Sequence, residues 1–319
     1  MDIGAPAWYN VQNDPAEEPE RGDSGMKDPA IQSNRTQCLF ALISASIVAV
    51  CVCVGVVMNL VTIYDENFDH MGIRTFCMFT IDSNILAGLS MLLCIPYTVD
   101  GLRTGYYHLP DWVVVLMHIA VTAVSLTFLV SLCILAPVKG FGLIFTGSRF
   151  FLHGVCPVLS IVTFCCFICS HLVRLGESPL ALIPVFLYSA VYLVMVVFIG
   201  EEHGGWNDFY GFATRIPLWI SLVTILPLTF GIATLLRLGH NRCCENRRAL
   251  DAALYREAYS GADLREVVEK MACSHKCELK TKSIVIPSQT IGYMIENSGA
   301  DLDPAEGCRL YLEAFLRDD

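Results

Sequence analysis

The chain is poor in charge. Lys, Arg, Asp and Glu make up 16% of its residues, against roughly 25% in an ordinary soluble domain. The shortfall is local: charge is nearly absent from several long stretches between positions 38 and 238 and returns at both ends. The net charge of −10 therefore belongs mostly to the two ends, and no basic face exists to follow a phosphate backbone, which excludes a nucleic-acid binder. Several signatures are missing. There is no phosphate-binding P-loop, no G-x-S-x-G, no H-E-x-x-H and no dinucleotide fingerprint. Of the 15 cysteines, ten lie in or beside apolar stretches, and the other five (Cys243, Cys244, Cys273, Cys277, Cys308) follow the last one. With no cysteine in the intervening loops, an external disulfide framework is not expected.

Apolar sequence is plentiful. Hydrophobic residues make up 54% of the chain and mean hydropathy is +0.53. A helix needs about 20 apolar residues to cross the hydrocarbon of a bilayer. Six stretches qualify, at about 38–63, 76–99, 112–136, 150–172, 179–199 and 216–238. The expected fold class is all-α: a six-helix transmembrane domain over 38–238, preceded by an unstructured polar segment at 1–37 and followed by a partly helical tail at 239–319. The first stretch lacks the format of a cleaved signal and reads as a retained span. Arg237, Arg242, Arg247 and Arg248 crowd the end of the sixth stretch. By the positive-inside rule they place the tail in the cytoplasm, and six crossings place the N-terminus there too.

Polar groups within apolar stretches are costly and mark candidate sites. The second stretch opens with Phe79-Thr80-Ile81-Asp82-Ser83-Asn84. Thr80, Ser83 and Asn84 share a face by i, i+3, i+4 spacing, and Asp82 points elsewhere. The fourth opens with Phe151-Leu152-His153-Gly154-Val155-Cys156-Pro157. Both even-numbered spans enter from the same side, and at 1.5 Å per residue Thr80 and His153 lie about 6 and about 5 Å below the surface. A hydroxyl and an imidazole at matching depth suit a nucleophile and its base, Thr80 and His153. The same residues also suit plain packing between helices, threonine bonding its own backbone and a single histidine serving structure. Tyr188 and Tyr192 share a face of the fifth stretch and suit a polar cavity wall, though packing and hydrogen bonding between helices explain them more readily. The loop from Glu201 to Tyr210 suits a lid over that end. His118 and His171 read as structural.

Two cysteine patterns bear on redox and metal chemistry. Cys166-Phe167-Ile168-Cys169 is a C-x-x-C inside a membrane helix, but thiol–quinone chemistry needs partner cysteines in an external loop. His240, Cys243, Cys244, Cys273, His275 and Cys277 fit no standard zinc spacing. No metal site and no cofactor are expected.

The F-T-x-x-S-N run at Phe79 to Asn84 and the L-H-x-x-x-P run at Leu152 to Pro157 resemble motifs of a bacterial family of six-span membrane proteins, and Pro184, Tyr188 and Tyr192 match its proline-and-tyrosine span. That family is distantly similar to the androgen-induced membrane hydrolases, threonine enzymes that cleave fatty acid esters of hydroxy fatty acids. The resemblance covers about 38–238 and implies a bacterial cell membrane, Thr80 and His153 as catalytic residues, and membrane lipids with a lipid-ester substrate as partners. Asn84 or backbone amides would then steady the oxyanion. The alternative is a non-enzymatic membrane protein, either a small-solute carrier or a scaffold acting through its tail.

Overall fold

A computed structural model describes residues 29–61, 72–104, 107, 109–208, 210 and 218–258. Among them the chain is helical throughout, with no strand. Six helices are long and apolar enough to cross a membrane, the architecture of a multi-pass membrane protein. They are α1 (Pro29–Val61), α2 (Phe79–Thr104), α3 (Asp111–Lys139), α4 (Ser148–Phe167), α5 (Leu175–Ile199) and α6 (Leu218–Ala258).

Two boundaries differ from the sequence expectation. Helix α1 begins at Pro29, inside the segment read as unstructured, with the proline at a first helical position where its missing N–H costs nothing. Helix α6 does not stop near residue 238 but runs on to Ala258, because the Ala-, Leu- and Arg-rich segment beyond the apolar stretch has strong helix propensity. The later tail, with Cys273, His275, Cys277 and Cys308, lies outside the described residues.

Sequence patterning sets the packing. On α1, Cys38, Ala41, Ala45, Val48 and Val52 form a buried seam at alternating three- and four-residue steps. Small side chains there let the α2 backbone approach closely, as membrane helices require. The opposite face, with Phe40, Ile47, Val54 and Val57, stays exposed, as a lipid-facing surface would. Helix α3 is the most buried of the six and touches α2, α4, α5 and α6.

Several helices are not α throughout. Four stretches widen to π geometry: Ser131–Leu135 in α3, Phe151–Val155 and Thr163–Phe167 in α4, and Val194–Ile199 in α5. The first two share a cause. Each runs into a small residue and then a proline, Ala136-Pro137 and Cys156-Pro157. Proline lacks an amide hydrogen and its ring crowds the carbonyl four residues back, so the turn before it opens.

At the far end of the bundle, α6 holds the linker between α4 and α5. Asn241 bonds Val173 in both directions, its Oδ1 accepting from the Val173 N–H at 3.0 Å and its Nδ2 donating to the Val173 carbonyl at 2.9 Å. His171 Nδ1 lies 3.2 Å from the Asp111 carboxylate at the start of α3.

Candidate active site

The start of α2 is built from a short 3₁₀ turn, Gly72–Cys77, that delivers Phe79 and Thr80 to the end of the bundle. The first amides of a helix have no partner within it. Here the Phe79 N–H donates to the Tyr210 hydroxyl at 3.2 Å, from the loop after α5. Thr80 lines the same cavity as this phenol. Behind them the predicted polar face of α2 folds back on itself. The Thr80 carbonyl accepts from Ser83 Oγ at 3.1 Å and from Asn84 Nδ2 at 2.7 Å. Ser83 also meets Thr127 of α3, hydroxyl to hydroxyl, at 3.1 Å.

Asn84 is fully buried, and its second amide hydrogen goes to the Leu152 carbonyl at 3.0 Å. The π turn explains that acceptor. In α4 the Cys156 N–H reaches back five residues to Phe151. In that register the Leu152 carbonyl would be served by residue 157, which is proline and has no hydrogen to give. Asn84 supplies the missing donor, so the two motifs singled out in the sequence meet across α2 and α4. Both Asn84 N–H groups are thereby engaged and its Oδ1 has no protein partner, which leaves it an acceptor and not an oxyanion donor. Asp82 is exposed in the first turn of α2, where a carboxylate suits the helix dipole, and it does not line the cavity described below.

The imidazole of His153 lies within the first π turn of α4. Its Nδ1 is 2.6 Å from Ser131 Oγ, the residue that opens the π turn of α3. Thus the hydroxyl that His153 meets is that of Ser131 and not of Thr80. Ser131 is inconspicuous in the sequence, a small polar residue amid Val130 and Leu132. Its one signal is Pro137, six residues on, in the same relation as Pro157 to Phe151.

Ser131 and Thr80 line one cavity of about 90 Å³ between α2, α3, α5 and α6. Seven of its thirteen wall residues carry hydroxyls, among them Thr127, Tyr188, Ser189, Tyr192 and Tyr210. The others are apolar, and among the described residues none on the wall is ionisable as acid or base at neutral pH. Tyr188 and Tyr192 stand where the sequence put them, on one face of α5 pointing into the bundle end. Tyr188 donates to the Cys77 carbonyl at 2.7 Å, and Tyr192 donates to the Asp208 carboxylate. Their rings pack with Trp206 and Tyr210, with centroids 5.8 to 6.4 Å apart. Burial pushes the Tyr210 phenol up to about 12, so it stays protonated and able to donate at neutral pH.

The loop that carries Trp206 and Tyr210 is fixed by its backbone. The Met195 carbonyl accepts from Trp206 N–H at 3.0 Å, and Gly205 N–H donates to Gly200 at 2.8 Å. A Cβ at Gly205 would fall 2.1 Å from the Met195 carbonyl oxygen, so only glycine lets the loop return over α5.

Among the described residues no group of three or more His, Cys, Asp or Glu is placed to hold a metal ion. No family model, no curated protein and no solved structure matches the chain.

Proposed function

We propose that this membrane protein hydrolyses lipid esters within the bilayer, with Ser131 as nucleophile and His153 as its general base. The observation that carries the reading is the 2.6 Å contact between Ser131 Oγ and His153 Nδ1 at the wall of an uncharged, hydroxyl-rich cavity. A weak nucleophile becomes competent when a base within hydrogen-bond reach takes its proton. Ser131 Oγ attacks the ester carbonyl carbon while its proton passes to His153. The histidine returns that proton to the departing alkoxide, leaving an acyl-serine. A water molecule, deprotonated by His153, then attacks the acyl carbon, releasing the fatty acid and restoring Ser131.

The negative oxygen of each tetrahedral intermediate needs donors. Those at hand on the wall are the hydroxyls of Thr80 and Tyr210. Among the described residues the wall is uncharged, which favours a neutral ester over a charged solute that would require a countercharge in a low-dielectric site. On the Lys/Arg bias the cavity end faces away from the cytoplasm, and substrate enters from the outer leaflet.

Labelling with a fluorophosphonate probe tests this, using purified full-length protein in nanodiscs. Wild type is expected to label on Ser131, and Ser131→Ala and His153→Ala are expected to lose labelling while keeping their fold. An unlabelled wild type that also fails to cleave an array of long-chain esters would replace the hydrolase by the carrier or scaffold reading.

A further inference from the structure

The cavity wall is sorted by depth. Helices α3 and α5 start level with each other, because Asp111 at the head of α3 pairs with His171 in the linker that leads into α5. Along a helix each α residue advances about 1.5 Å and each 3₁₀ residue about 2 Å. On that scale Ser131 and Tyr192 lie about 30 and about 29 Å from the start, and Leu126 and Val185 about 22 and about 19 Å. Two contacts carry the scale to the other helices. Ser83 of α2 meets Thr127 at 3.1 Å, which puts Thr80 at about 28 Å. His118 meets the Ala233 carbonyl of α6 at 3.0 Å, which puts Ile225, about two turns nearer the cavity end, at about 22 Å.

Thr80, Ser131 and Tyr192 thus share an upper level that bears hydroxyls, and Leu126, Val185 and Ile225 form an apolar floor about 8 Å beneath it. Leu126 and Val185 are buried and Ile225 is half-buried. Between the levels, Thr127 donates its hydroxyl to the Ala123 carbonyl at 3.2 Å, and the Tyr188 phenol turns up to the Cys77 carbonyl. The slot below Ser131 is therefore apolar but for Ser189. At about 90 Å³ the whole cavity is well below the roughly 300–1,000 Å³ of pockets that engulf a larger ligand.

We propose, on the reading of Ser131 as nucleophile, that this floor gauges the acyl chain and restricts the site to neutral esters with a short acyl group. With the ester carbonyl at Ser131, the acyl chain points down to the floor, and the alcohol part leads out at the level of Thr80 and Tyr192. An extended chain of C–C bonds of about 1.5 Å advances roughly 1.3 Å per carbon, so about six carbons fill the slot. A longer acyl chain has to displace Leu126 and Val185 from a close-packed interior, where side chains yield little. The substrate is then a lipid whose long chain belongs to the alcohol.

The test measures kcat/KM on the full chain in nanodiscs for esters of one long-chain alcohol with acyl groups from acetyl to palmitoyl. Fluorophosphonate labelling of Ser131 is read alongside, and turnover is expressed per labelled molecule. Wild type should peak at about six acyl carbons and lose about tenfold or more for each carbon beyond. Leu126→Ala and the half-buried Ile225→Ala should each move the peak longer by about two carbons, the length of side chain removed. Val185→Phe should move it shorter, and Leu135→Ala, on the other side of Ser131 from the floor, should leave it in place. Labelling on Ser131 with a flat profile, with one that rises to palmitoyl, or with a peak that stays put in both floor alanine variants overturns the gauge and leaves the hydrolase reading standing. No labelling and no cleavage at any length overturns both.

Discussion

The two ends of the bundle treat histidine differently. At the far end, His240 is fully buried, with both ring nitrogens facing main-chain carbonyls and its ring stacked on Phe164, centroids 4.4 Å apart. His118, also fully buried, places Nε2 3.0 Å from the Ala233 carbonyl and tilts against the same Phe164. At the cavity end, His153 turns its ring to a side-chain hydroxyl on an open wall. A carbonyl cannot leave its helix, so an imidazole bonded to it serves as a brace between helices. A serine hydroxyl can give up a proton and attack. The residue type alone does not separate these roles; the partner does.

The sharpest way to break that contrast is substitution at the two ends. His153→Ala should lower esterase turnover by about 10²- to 10⁴-fold, the usual worth of a positioned general base, with little loss of fold. His240→Leu should do the opposite. It removes the ring that bridges the Phe164 and His171 carbonyls, whose single N–H serves one of them, and disturbs a packed core, at about 2–4 kcal/mol of stability. The check is thermal unfolding in detergent alongside turnover per folded molecule. Equal losses of turnover in both variants would show that the two histidines do not differ in kind.

A smaller effect is expected at Asn84, which belongs to the cavity end but acts as a brace. Asn84→Ala removes the donor that replaces Pro157's missing hydrogen at the Leu152 carbonyl, at about 1–3 kcal/mol. Because that carbonyl lies in the π turn that aims His153, turnover should fall together with the melting temperature. A variant that loses turnover at full stability would move Asn84 from bracing into chemistry.

These cases also mark what the sequence could reveal. Six apolar stretches gave the spans because hydrocarbon thickness dictates their length. Thr80, His153, Tyr188 and Tyr192 stood out because hydroxyls, imidazole and phenols are conspicuous in apolar runs. Ser131 did not stand out, because serine commonly bonds its own helix, as Ser125 does to Val121 four residues back. What brings Ser131 to His153 is a pair of π turns ahead of Pro137 and Pro157, a register change that hydropathy does not encode. Asn84 reads as a candidate oxyanion donor until Leu152 appears as the acceptor that takes its last hydrogen. The helical start at Pro29 was hidden because a polar segment gives no periodic apolar signal.

The mildest substitution bears on the finest distinction, between the two hydroxyls of one cavity. Thr80 stands on the cavity wall beside Tyr210, whereas Ser131 shares its hydroxyl with His153. If Ser131 attacks, Thr80→Val keeps the shape of the wall and loses one net hydrogen bond, about 0.5–1.5 kcal/mol, so turnover falls by roughly tenfold at most. Fluorophosphonate labelling should remain on Ser131, since valine disturbs neither the serine nor the imidazole. A loss as deep as that of His153→Ala, with labelling abolished, would reverse the assignment. Ser131 would then be the group that orients His153 through Nδ1, and Nε2 would serve the threonine. The same pair of variants, read by peptide mapping of the labelled residue, separates the two arrangements, because only the attacking hydroxyl carries the phosphonyl group.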